Sequence, residues 1–214
     1  MPKGVQVRVL LGALMNVRYY SPRKEGKRLK YYHISKHGGT WVQHVFRQTF
    51  KNDDSSKKIS TGQHFEIKDE DCITATVFRN PFSFYKSIHA FYLLNGERGW
   101  IRNRWGKDCW EDELNEFIES LFLSKKQFLT TRYAYLTCCD LIGTTENLRE
   151  DLEKFLAIAG YEYDKEILKL PAVRVASGLP EYTQELTPKS KALIEQFEGE
   201  AIQMWEEVHA KSKT

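Results

Sequence analysis

The heptapeptide CITATVF, residues 72 to 78, is apolar or β-branched at nearly every position. A half-exposed strand alternates polar and apolar residues with period two. An unbroken run of this kind suits a strand covered on both faces, as in a parallel sheet. Directly after it, NPFSFYKSIHAFYLLNG places Phe84, Ile88, Phe91 and Tyr92 on one helical face and stops at Asn95 and Gly96. The same alternation recurs along the chain. RLKYYHIS reads as a strand and TWVQHVFRQTF as a helix with Val42, Val45, Phe46 and Phe50 at helical spacing. KKIST and DLIGT read as short strands, and DELNEFIESLFL as a helix. NLREDLEKFLAIAG is a helix with Leu148, Leu152, Phe155 and Leu156 on one face, Asn147 with Glu150 as a capping box, and Gly160 as its stop. Thr187 and Pro188 open a last helix carrying Leu193, Ile194, Phe197, Ile202, Trp205 and Val208. Strands alternating with helices predict an α/β fold: a mainly parallel central sheet flanked by helices.

The 214 residues suffice for one domain with a sizeable core, spanning 1–214 with its core about 28–208. A formal net charge of only +3 gives no bulk-charge argument for a nucleic-acid partner. Of the four cysteines, Cys138 and Cys139 are adjacent while Cys72 and Cys109 lie far off, a pattern of neither a zinc site nor a disulfide framework. Free thiols in a reducing, cytoplasmic compartment are expected. The apolar run VQVRVLLGALMNV is bracketed by Arg8 and Arg18 and is too short to span a bilayer, so strand or core is expected there. SPRKEGKRLK (21–30) and KNDDSSKK (51–58) read as exposed loops, and LNGERGWIRNRWGKDCW (94–110) as a long excursion from the scaffold.

Two strand-to-helix corners carry the chemistry. In α/β sheets, ligands bind where the carboxyl ends of strands turn into helix N-termini. At the first corner, SKHGGTWV, Gly38 and Gly39 let backbone N–H groups converge on an anion, with Lys36 and the Thr40 hydroxyl adding charge and a donor. A solvent-exposed lysine on a glycine turn is the plainer reading. The order is wrong for an ATP loop, G-x-x-x-x-G-K-[ST], because the lysine precedes the glycines. At the second, VFRNPFSFYKS, Arg79 leaves the buried strand and Ser87 follows eight residues later, so both can reach one oxyanion. Arginine suits a terminal phosphate because its planar fork donates two hydrogen bonds at once. A structural ion pair for Arg79 and a surface position for Ser87 are the alternatives.

Taken together, these motifs resemble the sulfotransferase family that uses 3′-phosphoadenosine 5′-phosphosulfate (PAPS). SKHGGTWV is similar to that family's 5′-phosphosulfate loop, P-K-[ST]-G-[GST]-[ST], and VFRNPFSFYKSIHAFY to its 3′-phosphate motif of an arginine followed eight residues on by a serine. DLIGTTENLREDLEKFLAIAG and YTQELTPKSKALIEQFEGEAIQMW resemble its downstream segments, the latter in the carbohydrate-type branch. The matches run in the family's order over roughly residues 30 to 208. Ser35 stands where the family usually has proline, and His37 where it has serine or threonine.

The resemblance implies a P-loop NTPase-like sulfotransferase fold, PAPS as donor, PAP as product, and no metal. It implies binding of the nucleotide by Lys36, His37, Gly38, Gly39, Thr40, Trp41, Arg79, Ser87 and Arg174. Lys36 would also be catalytic, neutralising charge on the leaving phosphate. His64, in STGQHFEI, would be the base that deprotonates an acceptor hydroxyl, with Glu66 and His37 as rivals. Trp100, Arg102, Arg104, Trp105 and Trp110 could wall an acceptor site, stacking on sugar rings. The expected acceptor bears a hydroxyl and is a carbohydrate or small molecule. The alternatives are a P-loop-type kinase, which would need a Gly-Lys-[ST] ending and a carboxylate for magnesium, and a degenerate nucleotide- or glycan-binding module.

Overall fold

This computed structural model describes residues 15–20, 28–49, 58–59, 72–95, 111–124, 127–161, 163–170 and 184–212. Its strands are β1 (Met15–Tyr20), β2 (Arg28–Ile34), β3 (Lys58–Ile59), β4 (Cys72–Phe78) and β5 (Leu141–Thr144). The helices are α1 (Gly39–Thr49), α2 (Pro81–Asn95), α3 (Leu114–Ser124), α4 (Phe128–Leu136), α5 (Leu148–Ile158) and α6 (Pro188–Ser212), with a short 3₁₀ turn over Lys165–Lys169.

The strands form a mixed sheet in the order β3-β1-β2-β4-β5. Its parallel part is β2, β4 and β5, with Tyr31 opposite Ala75 and Ala75 opposite Leu141. Among the described strands β1 alone is reversed, running antiparallel to both β2 and β3, so the sheet is mixed and the parallel expectation holds for β2, β4 and β5. The reason is chain length: the link from Tyr20 to Arg28 is too short for the crossover that a parallel neighbour needs. The N-terminal apolar run enters the described residues only at its end, as the start of β1.

Both faces of the parallel part are covered, as the unbroken heptapeptide requires. Leu29, Tyr31, Ala75 and Val77 pack on one face against Trp41, Val42, Val45 and Phe46 of α1 and Leu152, Phe155 and Leu156 of α5. Tyr32, Ile34 and Phe78 point to the other face, against Phe84 and Ile88 of α2, Phe117 and Leu121 of α3, Leu129 and Tyr133 of α4 and Ile194 of α6. Thr74 and Thr76, the polar members of the run, are buried but bonded, Thr74 to the Asp140 carboxylate and Thr76 to the Tyr32 carbonyl.

α4 was not foreseen from sequence. Its first turn is held from α6: the buried Glu198 carboxylate accepts the Leu129 and Thr130 amides at 2.8 and 2.7 Å and the Tyr85 hydroxyl at 2.6 Å. α6 departs from helical geometry at Glu198 (φ −123°, ψ 21°), where this carboxylate enters the interior. The expected caps divide. Thr187 caps α6 through the Ser190 amide, and Gly160 ends α5 with φ 74°. Asn147, however, makes no side-chain cap on α5; its amide meets His209 of α6. Among the described residues, no helix is long and apolar enough to cross a membrane.

Candidate functional site

Because β2 and β4 are adjacent and parallel, the turns that follow them open at the same end of the sheet. Residues 35–38 link β2 to α1, and Arg79 with Asn80 link β4 to α2. The chain is tied there a third time: the Thr145 amide and hydroxyl, just past β5, both donate to the Phe78 carbonyl.

In the first turn, Lys36 (φ 68°) and Gly38 (φ 71°) adopt left-handed backbone, which reverses the chain within four residues. Gly38 has a second constraint, since a Cβ on it would lie 2.6 Å from Leu148 Cδ2. Gly39 carries the His33 ring so closely that a Cβ would meet it at 1.9 Å. Trp41 and Val42 amides then bond the Gly38 carbonyl, so the helix begins at once. The N–H groups of a first helical turn have no intrahelical partner and present partial positive charge. Thr40 stands exposed beside them, whereas Trp41 is buried, its indole N–H donating to the Leu170 carbonyl at 3.0 Å.

In the second turn, Asn80 Oδ1 caps α2 through the Ser83 amide. Arg79 bridges the turns: Nη1 donates to the Lys36 carbonyl at 2.7 Å and Nε to Ser83 Oγ at 2.9 Å. Burial lowers the Arg79 pKa, opposed by the nearby Glu146 carboxylate. Glu146 Oε1 accepts the Asn80 amide and Oε2 the Trp205 indole, so α6 also reaches this corner.

The Lys36 ammonium lies 4.1 Å from the centre of the Phe91 ring on α2. Among the described residues, no carboxylate pairs with it. Burial first, and then the Arg79 charge, lower its pKa to about 8. Holding the proton there against water costs of order 3 kcal/mol at neutral pH, a cost that a bound anion would offset. Two cations, a glycine turn and a helix N-terminus thus lie at one end of the sheet, with the Glu146 carboxylate beside Arg79, an arrangement with more donors and positive charge than negative and suited to phosphate or sulfate oxygens.

The sequence-predicted residues are placed unevenly. Lys36, Gly38, Gly39, Thr40 and Arg79 come together. Ser87 lies one helical turn beyond Ser83, and the serine that Arg79 bonds is Ser83. His37 is fully buried with its ring turned inward: Nδ1 meets the Ser35 carbonyl at 2.9 Å and Nε2 the Tyr133 hydroxyl at 2.8 Å. Burial, with further opposition from Arg79, drives its pKa well below the usual range, so the ring is neutral and structural here. His64, Glu66, Arg174 and the Trp100, Arg102, Arg104, Trp105 and Trp110 group lie outside the described residues.

Two residues of the site, Ser83 and Tyr133, went unread in the sequence, and Glu146 was read only as part of a resembling segment, with no role. Ser83, four positions after Arg79 on a helix, was legible by spacing alone. Glu146 sits inside the recognised TENL segment. Tyr133 carried no local signal, because its contacts with Arg79 and His37 span long stretches of chain.

Comparison with known proteins finds no matching family model, no matching curated protein and no matching solved structure.

Proposed function

We propose that the protein is a PAPS-dependent sulfotransferase with a P-loop-like fold, acting on a hydroxyl-bearing acceptor, carbohydrate or small molecule. The observation that carries this reading is the Arg79 Nη1 bond to the Lys36 carbonyl at 2.7 Å, because it supports the reading that one nucleotide with a phosphate at each end reaches both corners. The excess of donors and positive charge at the corners over the single Glu146 carboxylate fits such an anion, and the lysine-first order of the loop fits a role at the phosphate–sulfate bridge better than a role in an ATP site.

PAPS supplies a sulfuryl group whose S–O bond to the 5′-phosphate breaks as a new S–O bond forms to the acceptor oxygen. Lys36 would neutralise the charge left on the 5′-phosphate, with Thr40 and the α1 amides holding its oxygens. Arg79, with Ser83 or Ser87, would hold the 3′-phosphate. His64 is assigned as the base that takes the acceptor's proton; His37 drops out of that role because its ring is enclosed.

Titration calorimetry with PAP tests the reading. Micromolar-range binding without magnesium is expected, tighter than ATP with magnesium. Arg79→Ala should weaken it about 10- to 100-fold, the loss typical of hydrogen bonds to a charged group. Tighter, magnesium-dependent ATP binding would overturn the assignment in favour of a kinase.

A further inference from the structure

We infer that Tyr133 is a positioning residue that sets the distance between the two anion corners, and so determines selectivity for a nucleotide carrying both a 3′- and a 5′-phosphate. This rests on the function proposed above and deepens it.

The Tyr133 hydroxyl meets both backbone groups of Arg79, accepting its amide at 2.9 Å and facing its carbonyl as a donor. The same oxygen lies 2.8 Å from His37 Nε2. One buried hydroxyl therefore touches the loop after β2 and the loop after β4 at once. Its ring is fixed independently, stacked on Phe78 with centroids 4.0 Å apart and planes at 7°. Phe78 is the last residue of β4, so the hydroxyl is referenced to the sheet itself.

Hydrogen-bond chemistry makes the arrangement directional. The Ser35 carbonyl can only accept, so Nδ1 of His37 carries the proton and neutral Nε2 presents a lone pair. The single Tyr133 proton is then shared between Nε2 and the Arg79 carbonyl, while the Arg79 amide donates to the hydroxyl oxygen. The first loop is anchored through the His37 ring and the second through the Arg79 backbone, so the Arg79 guanidinium, which bonds the Lys36 carbonyl and Ser83, is held from both sides of the junction. His37, on this account, is the partner that Tyr133 requires in the first loop.

The test compares PAPS with adenosine 5′-phosphosulfate, which differs from it only in lacking the 3′-phosphate and so needs only the first corner. Wild-type protein should prefer PAPS. Tyr133→Phe keeps the stacked ring and removes the hydroxyl; the preference should shrink about tenfold while affinity for adenosine 5′-phosphosulfate changes by less than about twofold. A general loss of structure would weaken both ligands together. His37→Asn breaks the latch from the other loop and should reduce the same ratio, so the measurement survives if Tyr133→Phe does not fold. The double variant should lose less than the sum of the two. If wild-type protein binds both nucleotides equally, the sulfotransferase reading fails and the inference with it. If wild type discriminates and the variants keep the full preference, only the inference is overturned.

Discussion

Lys36 binds its proton weakly because burial and the neighbouring Arg79 disfavour its charge, so the proposed nucleotide binding would depend on pH. A bound phosphate favours the protonated form, so binding below pH 8 finds the ammonium ready, whereas above about pH 8 it must take up a proton. PAP affinity should therefore fall as pH rises from 8 toward 10, and Lys36→Arg should flatten that decline; calorimetry across the range would show it. His37 acts on stability instead. Its folded-state pKa lies below the ordinary histidine value, so its contribution is complete above about pH 6.5 and is lost as pH falls, when the unfolded chain binds a proton that the folded one refuses. His89, also depressed by burial, has the same sign. Thermal melts should drop between pH 7 and 5, and His37→Asn should remove part of the slope. Lys36 and Arg79 could be read from the sequence because a turn motif is local. The inward turn of His37 could not, because the hydroxyl that receives it lies 96 positions away.

Among the elements, α4 depends most on a distant residue. A left-handed Gln127 precedes it without a side-chain cap, and its first amides are satisfied by Glu198 of α6. Glu198→Ala leaves two buried amides and the Tyr85 hydroxyl without their acceptor and should cost about 3–5 kcal/mol in denaturant unfolding. Glu198→Gln should cost less, since its amide oxygen can still accept. The periodic helices and the two-sided strand β4 were legible because packing imposes their pattern on every turn or residue pair. α4 was not, since its start is fixed by a carboxylate on another helix. The direction of β1 is likewise a property of the link to β2 and not of the strand's own residues.

For the whole molecule, the arrangement of β2, β4 and β5 brings three crossover points to one end of the sheet. A ligand spanning Lys36 and Arg79 would join segments that unfolding must separate. At a hundredfold excess over Kd it should add about 2.7 kcal/mol, a rise in Tm of roughly 5–10 °C for a chain of this size. Dye-monitored melting with PAP would measure it, and Arg79→Ala should abolish most of the shift. The left-handed backbone at Lys36 has one more consequence. Glycine would rest there more comfortably, by about 1 kcal/mol, and would also rid the interior of an unwelcome charge. A library screened only for heat tolerance should thus discard this lysine early, yielding a hardier molecule without the cation that the proposed reaction requires.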